Sequence, residues 1–257
     1  MTIGRFDRDS AALTERLRSH ELFGSRDVND WIFAQLRVQP GHRVLELGCG
    51  TGKQTLPLAE RVGRSGSVLA VDISEEALGA LSREALARGV DGQILPCRVD
   101  LDHLADEIMS ATEFDRALGS FSLYYAHDPA RLFVTIYRHL TIGGLLFFCG
   151  PSRKNNAELR SFHDSVSGHA SGATAAALFM EDDGPRYVRE LFADVSVTAF
   201  ENPLRFESAT ELYRYWSSYY LYDDRLDDAF RAAEAEFFAN HDQFVTVKRV
   251  IGVTAVR

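Results

Sequence analysis

The sequence predicts an α/β fold with a doubly wound, largely parallel sheet, and three observations carry that prediction. Short apolar runs rich in branched residues alternate with helical patterns between residues 43 and 150. This is the rhythm of parallel strands joined by right-handed helical crossovers. The first apolar run, Val44-Leu45-Glu46-Leu47, empties into three closely spaced glycines, Gly48, Gly50 and Gly52, and a helical pattern starts at once. The next apolar run ends on an acid, Asp72.

In chain order, strands are expected at Arg43–Leu47, Ser67–Asp72, Gln93–Val99, Phe114–Ser120 and Leu145–Cys149. Helices are expected between them at Gln54–Val62, Glu75–Arg88, Leu101–Met109 and Pro129–Leu140, after an N-terminal helix over about 10–36. Ser74 before Glu75-Glu76, and Asp128 before Pro129, read as helix starts. Gly89 and Gly143-Gly144 read as helix ends, and Pro57 blurs the start of the helix that follows the glycines.

After Gly150 the strand rhythm breaks. Helical patterns run near Asn156–Val166, Ala173–Met180 and Pro185–Phe192, then a strand at Val195–Glu201. Ser208-x-x-Glu211 is a capping box that opens an aromatic helix to Tyr222. Another helix at Ala229–Asn240 and a final strand at Gln243–Val256 follow. Neither repeats nor low-complexity linkers appear. The inserts at about 151–190 and 202–242 are therefore expected to form a helical cap on a single domain spanning 1–257, with its core in 31–150, 191–201 and 243–257.

The chain of 257 residues is 46% hydrophobic, enough for a full core, and its net charge is −9. Lys and Arg are interspersed with acids rather than gathered in a basic stripe, so no nucleic-acid partner is expected. No apolar run approaches the roughly 20 residues of a membrane span, and Met1–Ser10 lacks the apolar stretch of a signal peptide. Cys49, Cys97 and Cys149 are isolated, without a C-x-x-C pair. A cytoplasmic protein without a metal site is expected.

Glycines at a strand-to-helix turn let backbone pass close to a ligand and aim free N–H groups at it. The spacing G-x-G-x-G does not meet the dinucleotide fingerprint G-x-G-x-x-G, because residue 53 is Lys. A nucleotide-dependent oxidoreductase is disfavoured on that ground. An acid ending the next strand, twenty residues past Gly52, can accept both hydroxyls of a ribose; Asp72 also stands where a carboxylate guards a helix start.

At these residues the chain resembles a known family. Val44–Gly52 is similar to motif I of the class I S-adenosylmethionine (SAM)-dependent methyltransferases, and the resemblance extends from about Trp31 to Gly150. It implies a Rossmann-like sheet of about seven strands, the last antiparallel, with SAM across the C-terminal strand ends. It carries cofactor contacts onto Glu46, Gly48, Cys49, Gly50, Gly52, Asp72, Ile73, Asp100, Leu101 and Ser120. Glu46 would orient the loop and the methionine ammonium. Asp100 would receive the adenine amino group, or cap the next helix, or both. The Ser120 carbonyl would face the methionine end. The product would be S-adenosylhomocysteine.

Methyl transfer from a sulfonium is an in-line displacement with a neutral leaving group, so alignment and desolvation lower much of the barrier. A base is needed only when the acceptor must lose a proton. Phe121–Asp128 lies where the family presents acceptor to methyl, and it lacks the Asn/Asp-Pro-Pro-aromatic motif of adenine-amine methyltransferases. Within it, His127 titrates in the useful range, or serves only the loop. Tyr124 and Tyr125 wall the pocket or pack. In the inserts, His163 is a second candidate base. Tyr215, Trp216 and Tyr219 share a stripe with Leu212 at helical spacing, either as core or as an aromatic lid over a planar acceptor.

The expected function is methylation of a small molecule. A protein or RNA acceptor is the alternative, disfavoured by the absent basic patch. A SAM-binding protein that does not methylate is the alternative of another class.

Overall fold

The computed structural model describes residues 18, 22–104 and 112–257. The chain forms one seven-stranded sheet: β1 (Arg43–Leu47), β2 (Ser67–Asp72), β3 (Ile94–Arg98), β4 (Phe114–Ser120), β5 (Leu140–Pro151), β6 (Asp194–Phe206) and β7 (Phe244–Val256), in the order β3-β2-β1-β4-β5-β7-β6. β1 to β5 pair with one another in parallel, and β7 runs antiparallel between β5 and β6. The sheet is the one the sequence predicts, with the antiparallel last strand. Strand order reverses between β1 and β4, which makes the C-terminal ends of these two strands the crevice where ligands bind in such sheets.

Both faces are covered. α1 (Val28–Leu36), α2 (Thr55–Val62) and α3 (Glu75–Arg88) bury Ile32, Leu36, Leu58, Val62 and Leu81 against Val44, Val68, Ala70, Leu118 and Phe147. On the other face, α4 (Pro129–His139) buries Leu132, Phe133 and Ile136 against Leu45, Leu47, Ala117 and Phe148. Buried residues run without a break along β1 because both faces are covered, as in other parallel strands. Ser74 and Asp128 cap α3 and α4 as expected, each accepting from a backbone N–H of the first turn.

A third core lies in the inserts. α5 (Ala157–Ser167), α6 (Ala175–Leu178), α7 (Gly184–Leu191), α8 (Ala209–Ser217) and α9 (Asp227–Asn240) succeed one another, with a π-helical turn, Phe179–Asp183, joining α6 to α7. Leu159, Leu204, Phe206, Leu212, Tyr215, Trp216, Phe230 and Phe244 pack together. The β6–β7 ladder reaches Phe206↔Phe244, while β5 stops pairing at Pro151↔Val250. A two-stranded ribbon thus projects past the sheet and carries α8 and α9.

Three expectations need correction. α1 starts at Val28, capped by Asp27, because Gly24 leaves the helix to bridge Leu204 on the β6 edge; most of residues 10–21 lies outside the described residues. α4 ends at His139, not near Gly143-Gly144, which lie inside the long β5 and bond to Arg257 at the end of the chain. β6 continues five residues beyond Glu201, so the second insert starts later than expected. After β3 a turn of 3-10 helix, Leu101–His103, leads into helical Leu104 where a helix is expected, and residues 105–111 lie outside the described residues.

Candidate active site

The glycine turn after β1 is built for close approach. Gly48, Gly50 and Gly52 have φ of 74°, 54° and 92°, a region that side chains disfavour. A Cβ on Gly48 would lie 2.4 Å from Ser122 Cβ, and one on Gly52 2.4 Å from Leu81 Cδ1. These two glycines are required by the fold. A Cβ on Gly50 would meet no protein atom within 4 Å, so the turn is open to a ligand on that side.

Asp72 faces this opening from the end of β2. Its Oδ2 accepts the Gly50 N–H at 2.7 Å and its Oδ1 the Ser74 N–H at 2.9 Å. The cap of α3 is Ser74, not Asp72. Two carboxylate oxygens offer about four acceptor positions, so the remaining ones can serve hydroxyls of a ribose. Ile73, beside it, is 56% exposed, a branched apolar side chain ready for a flat ring. Asp100 caps the turn after β3 through Asp102 N–H at 2.9 Å, and Leu101 is half-buried beside it.

Glu46 near the end of β1 is 1% exposed. Burial pushes its carboxyl up to about 8, the Thr55 hydroxyl opposing and the Asp72 charge adding. No hydrogen bond within ordinary limits reaches Glu46 Oε2 or Thr55 Oγ1. A buried carboxylate oxygen without a donor is costly. It fits a cationic donor such as the ammonium of a methionine moiety. Cys49 is buried between these groups, and burial raises its thiol, so it is not a nucleophile.

The loop after β4 closes the other side. Ser120 ends β4 opposite Cys149, and the Cys149 thiol lies 3.8 Å from the Ser120 hydroxyl. Phe121 takes φ 56°, unusual for a bulky residue, and its N–H donates to the Cys149 carbonyl at 2.8 Å. Ser122 Oγ donates to the Leu47 carbonyl at 2.5 Å, which locks this loop onto the glycine turn. Tyr124 is buried against Tyr125 and Phe179, whereas Tyr125 is half-buried.

The remaining predicted residues are held by other contacts. His127 is largely exposed, and its Nδ1 lies 2.8 Å from Asp102 Oδ2. Asp102 also accepts the backbone N–H groups of His127 and Asp128. Burial raises the Asp102 carboxyl, but these donors outweigh it and hold it below its usual range. Tyr215 and Trp216 have no accessible surface. Trp216 stacks on Phe230 at 3.9 Å and donates to His163 Nδ1 at 3.3 Å. Burial lowers the His163 pKa, with Asp164 and Asp223 opposing. The Tyr215 and Tyr219 hydroxyls meet Asn156 and Asn155 just before α5. Side chains without accessible surface line no open cleft, so Tyr215 and Trp216 form the interior of the insert, with buried His163 as a partner.

Sequence reasoning missed three residues here: Ser122, Asp102 and Lys248. Lys248 sits on the inward-facing row of β7 with Phe244, Thr246 and Val250. Strand parity alone would have flagged a charged residue in that row.

The methyltransferase-domain family profile matches residues 44–144, the segment from β1 into β5 that holds the glycine turn, Asp72 and Asp100. Over this segment the chain is similar to methyltransferase domains. The chain is 32% identical over 154 residues to the ubiquinone/menaquinone biosynthesis C-methyltransferase UbiE of Azotobacter vinelandii, over 60% of this chain and 59% of that one. It is 34% identical over 113 residues to nocamycin O-methyltransferase of Saccharothrix syringae, over 44% of this chain and 39% of that one. The chain thus spans less than two thirds of the length of these relatives. Its fold is shared with an arsenic(III) SAM methyltransferase of Chlamydomonas reinhardtii, with a TM-score of 0.54 and 22% identity over 85% of this chain and 64% of that one. Among the described residues, no helix is long and apolar enough to cross a membrane.

Proposed function

We propose that the chain transfers a methyl group from SAM to a small-molecule acceptor by in-line displacement. The observation that carries this reading is the buried Glu46 oxygen without a donor, on the strand that runs into the open glycine turn. Glu46 would take the methionine ammonium, the backbone of Gly48–Gly52 would lie along the cofactor, Asp72 would take the ribose, and Ile73, Asp100 and Leu101 the adenine. When bound, SAM supplies an electrophilic methyl group on a sulfonium. The chain's own contribution is alignment and exclusion of water: the Ser122 bond holds the loop after β4 against the glycine turn, and Phe121, Tyr124 and Phe179 present an apolar wall. His127 serves the loop, since Asp102 uses it together with two backbone donors at the start of α4.

The acceptor is a small molecule in this reading, consistent with the quinone-pathway and nocamycin names of the relatives and with the acidic surface. The inserts, on a single domain spanning 1–257, choose the acceptor. Three free cysteines suit a reducing cytoplasm. Calorimetric titration with S-adenosylhomocysteine and with NAD tests the cofactor. Binding of the first and not the second is expected, and NAD binding alone ends the argument. Label passing from methyl-labelled SAM to a product separates methylation from binding without transfer.

A further inference from the structure

We propose that the Trp216–His163 hydrogen bond is an acid-sensitive latch of the insert core: protonating the imidazole releases Trp216 and loosens α5 from α8, while the sheet and the glycine turn hold. The latch does not depend on what the cleft binds.

Trp216 has no accessible surface, and its Nε1–H donates to His163 Nδ1 at 3.3 Å. An indole nitrogen only donates, and an imidazole nitrogen accepts only when it carries no proton. Trp216 therefore fixes the neutral tautomer of His163, with the proton on Nε2. A second proton can enter only at Nδ1. It turns the acceptor into a donor and sets two N–H groups head to head. His163 is 8% exposed, and Trp216 lies flat on Phe230 with ring centres 3.9 Å apart. Solvent cannot take over as acceptor for a ring enclosed in this way, and a buried donor left unpaired is costly. The imidazolium must leave its place for the core to be satisfied again.

The charged groups around His163 favour the cation once it moves. Asp164 follows it on α5, and Asp223 stands in the turn after α8, where it pairs with Arg225. Burial outweighs both carboxylates and lowers the His163 pKa. α9 packs on the same core through Phe230 and Glu234, its two buried residues. Burial raises the Glu234 carboxyl to about 7, so it is largely neutral where the imidazole titrates. Arg231 of α9 lies over the Tyr213 ring, Arg160 of α5 donates to the Arg153 carbonyl, and Arg249 of β7 pairs with Glu158 at the start of α5.

The unfolded chain takes up this proton near the ordinary histidine value of about 6.5, and the folded chain only at lower pH. The stability conferred by the latch is thus complete above that value. It falls as pH drops and levels off once folded His163 is protonated. The loss is local, because Trp216 and Phe230 belong to a cluster separate from the two that hold the sheet.

The test uses the full chain without ligand. In protein labelled with 15N, the His163 ring, assigned through the backbone, should show a bare Nδ1 and a protonated Nε2 at pH 7.5. Its titration should fall below the ordinary histidine value. Hydrogen exchange, corrected for the intrinsic rate at each pH, should show protection of α5 and α8 falling severalfold between about pH 7 and 5, with β1 and β4 changed less than about twofold. His163→Asn keeps an acceptor oxygen near the Nδ1 position and does not titrate, so its protection in α5 and α8 should stay level over that range. If His163→Asn does not fold, the wild-type ring spectrum and exchange data decide. A proton on Nδ1 at pH 7.5, an unchanged pH dependence in folded His163→Asn, or equal loss of protection in sheet and inserts would overturn the proposal.

Discussion

Gly50→Ala separates what the backbone needs from what a ligand needs. Gly50 has φ 54°, and a methyl there would meet no protein atom within 4 Å. Only the left-handed conformation opposes the change, at about 1–2 kcal/mol. In a chain of this size that lowers Tm by roughly 2–8 °C. The methyl would stand where the cofactor runs along the turn. An overlap of about 2–3 kcal/mol is close to a hundredfold in Kd. Gly52→Ala is the contrast: φ is 92° and the methyl would lie 2.4 Å from Leu81 Cδ1, so overpacking adds about 1–3 kcal/mol to the strain. Urea unfolding with calorimetric titration by S-adenosylhomocysteine reads both terms. The expected pattern is a folded Gly50→Ala with binding lost and a clearly less stable Gly52→Ala. Wild-type affinity in folded Gly50→Ala would refute the placement of the cofactor on this turn.

Three further outcomes follow from the same geometry. Glu46 is raised from 4.5 to about 8 in the folded chain, so the folded state holds a proton that the unfolded state releases, and stability falls as pH rises across that interval. Glu234, raised to about 7 chiefly by burial, acts with the same sign. Glu46→Gln should flatten the slope in urea unfolding between these pH values, and an unchanged slope contradicts the assignment. Trp216→Ala removes a fully buried ring stacked on Phe230 and should cost about 3–5 kcal/mol in chemical unfolding; a variant of wild-type stability with a raised acceptor KM would restore the lid. His127→Ala should leave methyl transfer within a few-fold of wild type, whereas loss of a general base costs roughly 10²–10⁴; a fall of that size, with the acid limb of the pH profile removed, would make His127 catalytic.

The sheet and the glycine turn were legible because their signals are local. Three glycines that take positive φ, an acid closing the next strand and a Ser or Asp before α3 and α4 act within a few residues. The contacts of the inserts and of the loop after β4 were less legible, because their residues meet across long sequence separations. Tyr215 and Trp216 present the same helical stripe whether they face a ligand or Phe230 and Phe206, and only the fold of the second insert decides. Gly143-Gly144 reads as a helix stop, but its role is to meet the far end of the chain at Arg257. Asp102 and His127 are twenty-five positions apart and join only because α4 packs over the turn after β3.

The ladder pair Phe206↔Phe244 closes the second insert like a clasp. Whatever is spliced between these two residues begins and ends at neighbouring points on a strand pair already paid for by the sheet. Doubling such a loop costs only about 0.6 kcal/mol of closure entropy. The segment from Glu207 to Gln243 also shares its core with α5 through Leu159, Asn156 and His163, so length is free to vary at this clasp while the faces of the two inserts can change only together.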